Sequence, residues 1–264
     1  MGTKIKNLFS VAVIFLLLPL IITICMKGRS YVAENSGAEN EVELLLPGIL
    51  AATIPSDYEE ETLKAQAVIL RTLIVGSDEK DAKEAAEKLK LSIRKEWDTV
   101  YAKAVEATTG EVLFYKDELT RPAYHALSTG RTRSSAEATG EDIPYLQAVD
   151  SSWDKECGYY ENLTEEESGQ NITVVDRDSS GYVQKVIYGE EEITGEEFRK
   201  RLSLPSADFS IAEKYGKRVI LTRGVGHGLG MSQYGANEVA KKGYSYRRIL
   251  KYYFKGTQVR YFYE

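Results

Sequence analysis

Residues able to do chemistry are few and unevenly placed. Among 264 residues there are two histidines, His125 and His227, and two cysteines, Cys25 and Cys157. His227 stands in GVGHGLGMSQYGA (224–236), with Gly224, Gly226, Gly228 and Gly230 alternating around it. Glycine has no Cβ, so alternate glycines let a bulky ligand approach the backbone. On that reading His227 projects alone into the cleared space. Ser232 then caps a helix, and Gln233 and Tyr234 lie near exposed N-terminal amides suited to an acidic or acetamido group. A glycine-rich structural turn with a hydrogen-bonded histidine is the alternative. A dinucleotide loop needs G-x-G-x-x-G inside a βαβ unit, and a phosphate loop needs Lys-Ser/Thr after its glycines; neither is present.

Other candidates lie upstream. Asp57, Glu59, Glu60 and Glu61 cluster where a helix begins, a place the helix dipole favours for acids. Lys64, Gln66 and Arg71 follow on that helix, as ligand contacts or as a solvated face. His125 lies on a short strand, and Arg223 is a potential bidentate donor to a carboxylate. Cys25 falls in an apolar run and Cys157 in the folded part, so no disulfide within the domain is expected and no cysteine cluster has zinc spacing.

These residues need a scaffold. Hydrophobic residues are 43% and charged residues 28% of the chain, enough for a real core. A net charge of -6 argues against nucleic acid as a partner. VELLLPGILAATIP reads as a strand-like start, with Pro47 opening a short helix and Ser56 or Asp57 capping the next. That next helix aligns Leu63, Ala67, Leu70 and Ile74 on one face. DEKDAKEAAEKLKLSIRKEW reads as an exposed helix, and Asp98 to Glu106 as another. EVLFY, AYHALS, YLQAVD, NITVVDR, YVQKVIYG and KRVILTRG read as short strands. Thr194 with Glu197 forms a capping box. Helices near 231–242 and 245–254 precede a strand near 257–262. Helices and strands are partly segregated, so the expected fold class is α+β.

Residues 8–26 carry no charge, and nineteen residues of helix span roughly the 30 Å of a bilayer core. We expect a cytoplasmic N-terminus (1–7), a transmembrane anchor (8–26), a linker (27–41) and an extracytoplasmic domain (42–264). A cleaved signal peptide is the competing reading.

The run LAATIPSDYEEETLKAQAVILRT (50–72), TGEVLFY, AYHALSTGRT, PYLQAVDSSWD, ITGEEFRKRL and GVGHGLGMSQYGA, in that order, resembles the stage II sporulation protein D family, which shares its domain with the LytB amidase enhancers. KAQAVILRT and GHGLGMSQYGA are the specific signatures. The resemblance implies a single domain with a long glycan-binding cleft, acting on peptidoglycan strands as a lytic transglycosylase at the membrane between mother cell and forespore. It implies Lys64, Gln66, Arg71, His125, Arg223, His227, Ser232, Gln233 and Tyr234 as glycan contacts. The family's acid is the Glu of A-A-E-M-P; this chain has A-A-T-I-P, with Thr53 in its place. Cleavage is then impaired or absent, unless Asp57 substitutes. A non-catalytic enhancer or scaffold, working with another wall hydrolase, is the further alternative. Some members bind zinc near the Y-H-S-T segment; here only His125 remains, so no metal and no cofactor are expected.

Overall fold

The computed structural model describes residues 41–262, apart from 80, 168 and 215. The predicted N-terminus and anchor, and all but the end of the linker, lie outside the described residues. Among those described, no helix is long and apolar enough to cross a membrane.

The chain opens with helix α1 over 41–53, followed by α2 (Glu60–Val75), α3 (Ala82–Lys88) and α4 (Thr99–Glu106). Strands β1 (Glu111–Tyr115), β2 (Glu118–Leu119) and β3 (Tyr124–His125) come next. Then follow α5 (Ser135–Thr139), a 3-10 turn at Ser152–Glu156, and β4 (Glu161–Glu165) through β5 (Ile172–Arg177), β6 (Val183–Tyr188) and β7 (Glu191–Thr194). Helix α6 (Gly195–Arg201) leads to β8 (Phe209–Lys214), β9 (Lys217–Arg223), β10 (Met231–Ser232), α7 (Gln233–Lys241), α8 (Tyr246–Tyr253) and β11 (Gln258–Tyr261). The sheets have orders β11-β1-β2, β4-β9-β8 and β5-β6-β7, all antiparallel, plus a short parallel pair β10-β3. The result is the expected mixed α+β domain.

Helix α2 is its axle. Leu63, Ala67, Leu70 and Ile74 join α1, α3 and α4 in one apolar cluster. Ala65, Val68 and Ile69 face the other way, against β1, α7 and α8. A helix buried on two sides needs apolar residues beyond a single stripe, which Ala65, Ala67, Val68, Ile69 and Leu70 supply. A third cluster, around Phe198 and Phe209, fills the space between α6 and strands β6 and β9.

Four local expectations fail for tertiary reasons. Residues 41–53 form helix rather than strand, running through Pro47; the buried Val42, Leu46, Ile49 and Leu50 are spaced for one helical face. Helix α2 is capped neither by Ser56 nor by Asp57. It begins after Glu59, whose N–H donates to Asn237 Oδ1 at 2.7 Å, so a distant side chain replaces the local cap. YLQAVD is not a strand: it is tied to 132–135 through Thr132, Ser135, Leu146 and Val149. The charged stretch after residue 88 is likewise not helical and crosses α1 as a strap.

Candidate functional site

Thr53 ends α1. Its Oγ1 donates to Leu50 O at 3.0 Å, and its carbonyl accepts from Gln233 Nε2 at 3.0 Å. With the Glu59–Asn237 bond, this laces the 53–59 connection to α7. A cavity of about 450 Å³ opens here, lined by residues 51–57, Arg94 and Tyr101. Ala51 and Ala52 keep it roomy, and Tyr101 Oη donates to Ile54 O at 2.7 Å. Asp57 is the carboxylate among its lining residues and is exposed.

On the other side of the connection three tyrosines meet. Burial, then a hydrogen bond with Tyr159, pushes the Tyr58 phenol up. Tyr159 and Tyr234 stand edge-to-face with centroids 6.4 Å apart, and Tyr159 is 48% exposed. Such rings offer apolar faces with polar tips, suited to the two-sided surface of a sugar. Tyr58 and Tyr159 were not singled out from sequence, since each is one tyrosine among 18.

The glycine stretch does something other than clear space. All four glycines have positive φ. A Cβ on Gly230 would lie 1.9 Å from Ala123 O, and one on Gly226 would lie 2.7 Å from His125 Cβ. The segment is pressed against residues 123–128, with Ser232 in register with His125 in the β10-β3 pair. It is a packing seam, which corrects the reading of an open groove wall. His227 does not project alone; its ring lies 5.9 Å from His125, and its Nδ1 accepts from Leu229 N–H at 3.1 Å. His125 is buried, its Nδ1–H donating to Leu229 O at 2.9 Å. Burial, reinforced by His227, lowers its pKa to about 3; burial also lowers that of His227. Both imidazoles are therefore neutral at pH 7. Ser232 caps α7 as expected, accepting from Gly235 N at 3.2 Å. The helix amides are not open, however: Tyr234 N–H donates to Ala126 O at 3.1 Å, and Gln233 is buried.

Three further expected contacts are structural. Arg71 is buried, its guanidinium forked onto Glu43 at 2.7 and 2.8 Å. Gln66 is fully buried, so no glycan reaches it. Lys64 bridges Glu60 at 2.6 Å and Glu61 at 2.9 Å. Arg223 is half-buried at the end of β9, 3.3 Å from Glu161 and 3.8 Å from Asp208. Of the predicted residues, the structure brings Thr53, Asp57, Gln233 and Tyr234 to one place. It sets His125, His227 and Ser232 behind them as a floor.

That floor has a buried acid the sequence reading missed. Asp154, in SSWD, accepts from Ser128 N–H at 2.9 Å and lies buried near the Ser232 and Ser151 hydroxyls. Burial raises its pKa from 3.8 to about 6. Arg133 was also missed. Buried between Asp178 at 2.6 Å and Glu196 at 3.2 Å, it donates its backbone N–H to Gly228 O at 2.8 Å, so it anchors the glycine segment.

A tetrahedral zinc site needs four donors. Among the described residues no three His, Cys, Asp or Glu gather as a metal-holding group. Both histidines commit Nδ1 to Leu229. The residues present do not fit the metal that the family resemblance implies.

Comparison with known proteins agrees with the sequence signatures. Residues 33–115 match the family model "Stage II sporulation protein". The chain is 32% identical to stage II sporulation protein D of Bacillus subtilis, over 87% of this chain and 77% of that protein. It is 31% identical to its counterpart in Bacillus amyloliquefaciens, with the same coverage. An amidase enhancer of Bacillus subtilis is 25% identical over 80% of this chain and 40% of its own length.

Proposed function

The chain belongs to the stage II sporulation protein D family, and on that premise we propose that it engages the glycan strands of peptidoglycan without cutting them. It does so from outside the cytoplasm, held by a single N-terminal span, in wall remodelling during sporulation. The glycan lies along the 53–59 connection, over the Tyr159–Tyr234 rim and the cavity beside Thr53. In this role the chain presents the strand to a separate wall hydrolase, a reading that the similarity to an amidase enhancer supports.

One observation carries the non-cleaving reading. At the family's acid position stands Thr53, whose hydroxyl already donates to Leu50 O. An alcohol cannot protonate a glycosidic oxygen as a carboxylic acid does. A proton donor near neutral pH needs burial, and Asp57 is exposed. The test uses the full chain in detergent with purified peptidoglycan. Co-sedimentation without anhydro-muropeptides is expected, with cleavage appearing in Thr53→Glu. A second reading rests on Asp57, which lines the same cavity. Anhydro products from the wild type, lost in Asp57→Asn, would establish that reading and end the first.

A further inference from the structure

The strap that crosses α1 after α3 carries an arginine whose guanidinium has no partner among the described residues. Gly48, in the middle of α1, is the seat. Its carbonyl accepts from Arg94 N–H at 3.0 Å, and a Cβ there would lie 2.6 Å from Arg94 O and 3.0 Å from Ile93 Cγ2. Only a residue without a side chain permits that backbone approach. The clamp fixes Arg94 at the wall of the cavity that Thr53 and Asp57 share, near Tyr101. Trp97 packs over the same glycine and remains 42% exposed.

Many arginines elsewhere in this domain are engaged: Arg71 with Glu43, Arg133 with Asp178, Arg177 with Asp208, Arg201 with Glu191 and Arg218 with Glu166; the exposed Arg121 and Arg131 make no ion pair among the described residues, but neither lines the Thr53 cavity. The Arg94 guanidinium has neither an ion pair nor a hydrogen bond among the described residues. Its neighbours in the cavity wall are alanines, a proline and hydroxyls, with Asp57 the one acid. A planar five-donor cation held by a rigid strap suits a planar anion. The exposed Trp97 indole, three residues on and over the same glycine, gives a flat apolar surface for the group that carries that anion.

We propose that Arg94 is the carboxylate-recognising residue of the Thr53 cavity, with Trp97 stacking on the attached ring or chain. This rests on the glycan reading above and adds to it a requirement for a carboxylate on the ligand. In peptidoglycan that carboxylate has two sources, the stem peptide and the lactyl ether exposed when the peptide is removed. Both present the same fork of oxygens to a guanidinium.

The test measures retention of the full chain, in detergent, on four insoluble ligands. These are intact peptidoglycan, peptide-stripped glycan, and each of these with its carboxyls capped as methylamides. Capping is expected to weaken wild-type binding about tenfold, the scale of a charge-assisted hydrogen-bonded pair. In Arg94→Ala and Arg94→Gln that difference between capped and uncapped ligand disappears, while Trp97→Ala weakens both forms alike. The ligand on which the Arg94 effect is larger identifies the carboxylate's source. If either Arg94 variant keeps the wild-type preference for uncapped ligand, Arg94 is not the receptor and the glycan reading stands. If the wild type binds capped and uncapped ligand equally, the carboxylate requirement is wrong. If it binds none of them, the glycan reading falls and this inference with it.

Discussion

The glycine segment at 224–236 and the connection at 51–59 lie back to back, joined by Gln233 on the Thr53 carbonyl. The first has the stronger motif and turns out to be masonry. Its backbone is pressed into residues 123–128, its His227 and the facing His125 are neutral and half to fully buried, and Arg133 and Asp154 pin it from beneath. The second reads as an ordinary helix end followed by acids, yet it borders the cavity and the tyrosine rim. Sequence distinctiveness and solvent-facing chemistry are thus separated here. Tight backbone packing restricts residue type severely, whereas a binding surface needs only a few side chains at the right places.

The comparison breaks most sharply at Gly230. Gly230→Ala combines φ near +70° with a Cβ 1.9 Å from Ala123 O, so we expect it to lose roughly 3–5 kcal/mol or fail to fold, read by denaturant unfolding. An unchanged midpoint would mean the segment is not a packing seam. Arg71→Ala leaves the Glu43 carboxylate, itself mostly buried, without its partner. The cost is about 3 kcal/mol or more, with glycan retention unchanged once the protein is folded.

A smaller effect comes from the floor. The folded state raises the Asp154 pKa from 3.8 to about 6, so it binds that proton more tightly than the unfolded chain. The stabilising contribution is fully present below the unfolded value and is lost as pH rises through about 6. Asp154→Asn is expected to remove on the order of 2–3 kcal/mol of pH-dependent stability over that window, measured by unfolding at several pH values. Asp208, raised by burial to about 6, leaves a residual slope of the same sign. His125 acts oppositely. With its pKa lowered to about 3, stability falls as pH drops below the unfolded 6.5. A wild-type slope unaltered in Asp154→Asn would remove the buried acid from the floor.

The smallest effects belong to the exposed region. Thr53→Val deletes one hydrogen bond to Leu50 O and should cost about 1 kcal/mol or less. Tyr159→Ala should barely change stability but reduce retention on peptidoglycan, seen by co-sedimentation. If Tyr159→Ala unfolded the protein while Gly230→Ala did not, the two regions would have been assigned in reverse.

Much of the scaffold was legible. The 3.6-residue spacing of Leu63, Ala67, Leu70 and Ile74 placed α2. Thr194 with Glu197, Asp98 and Ser232 marked helix starts that the structure keeps, through bonds to Glu197 N, Val100 N and Gly235 N. Each of these signals is local: a side chain bonds a backbone group two or three residues away, or a face repeats within one helix. Residues 41–53 were misread because branched and Leu-rich residues with a proline fit either state, and burial against α2 decided. Gln66 and Arg71 were misread because a polar side chain on a helix looks the same whether it faces water or a buried carboxylate.

By itself the sequence determined the family, the α+β class, the caps of α6 and α7, and an alcohol at residue 53, where the family resemblance implies an acid. These follow from short-range geometry and from residue identity. The tertiary structure alone decided that the glycines are packed rather than open, that Glu43 claims Arg71, and that a strap clamped on Gly48 brings Arg94 to the Thr53 cavity. Those outcomes depend on which distant backbone comes within van der Waals reach, and the chain's local pattern carries no record of that distance.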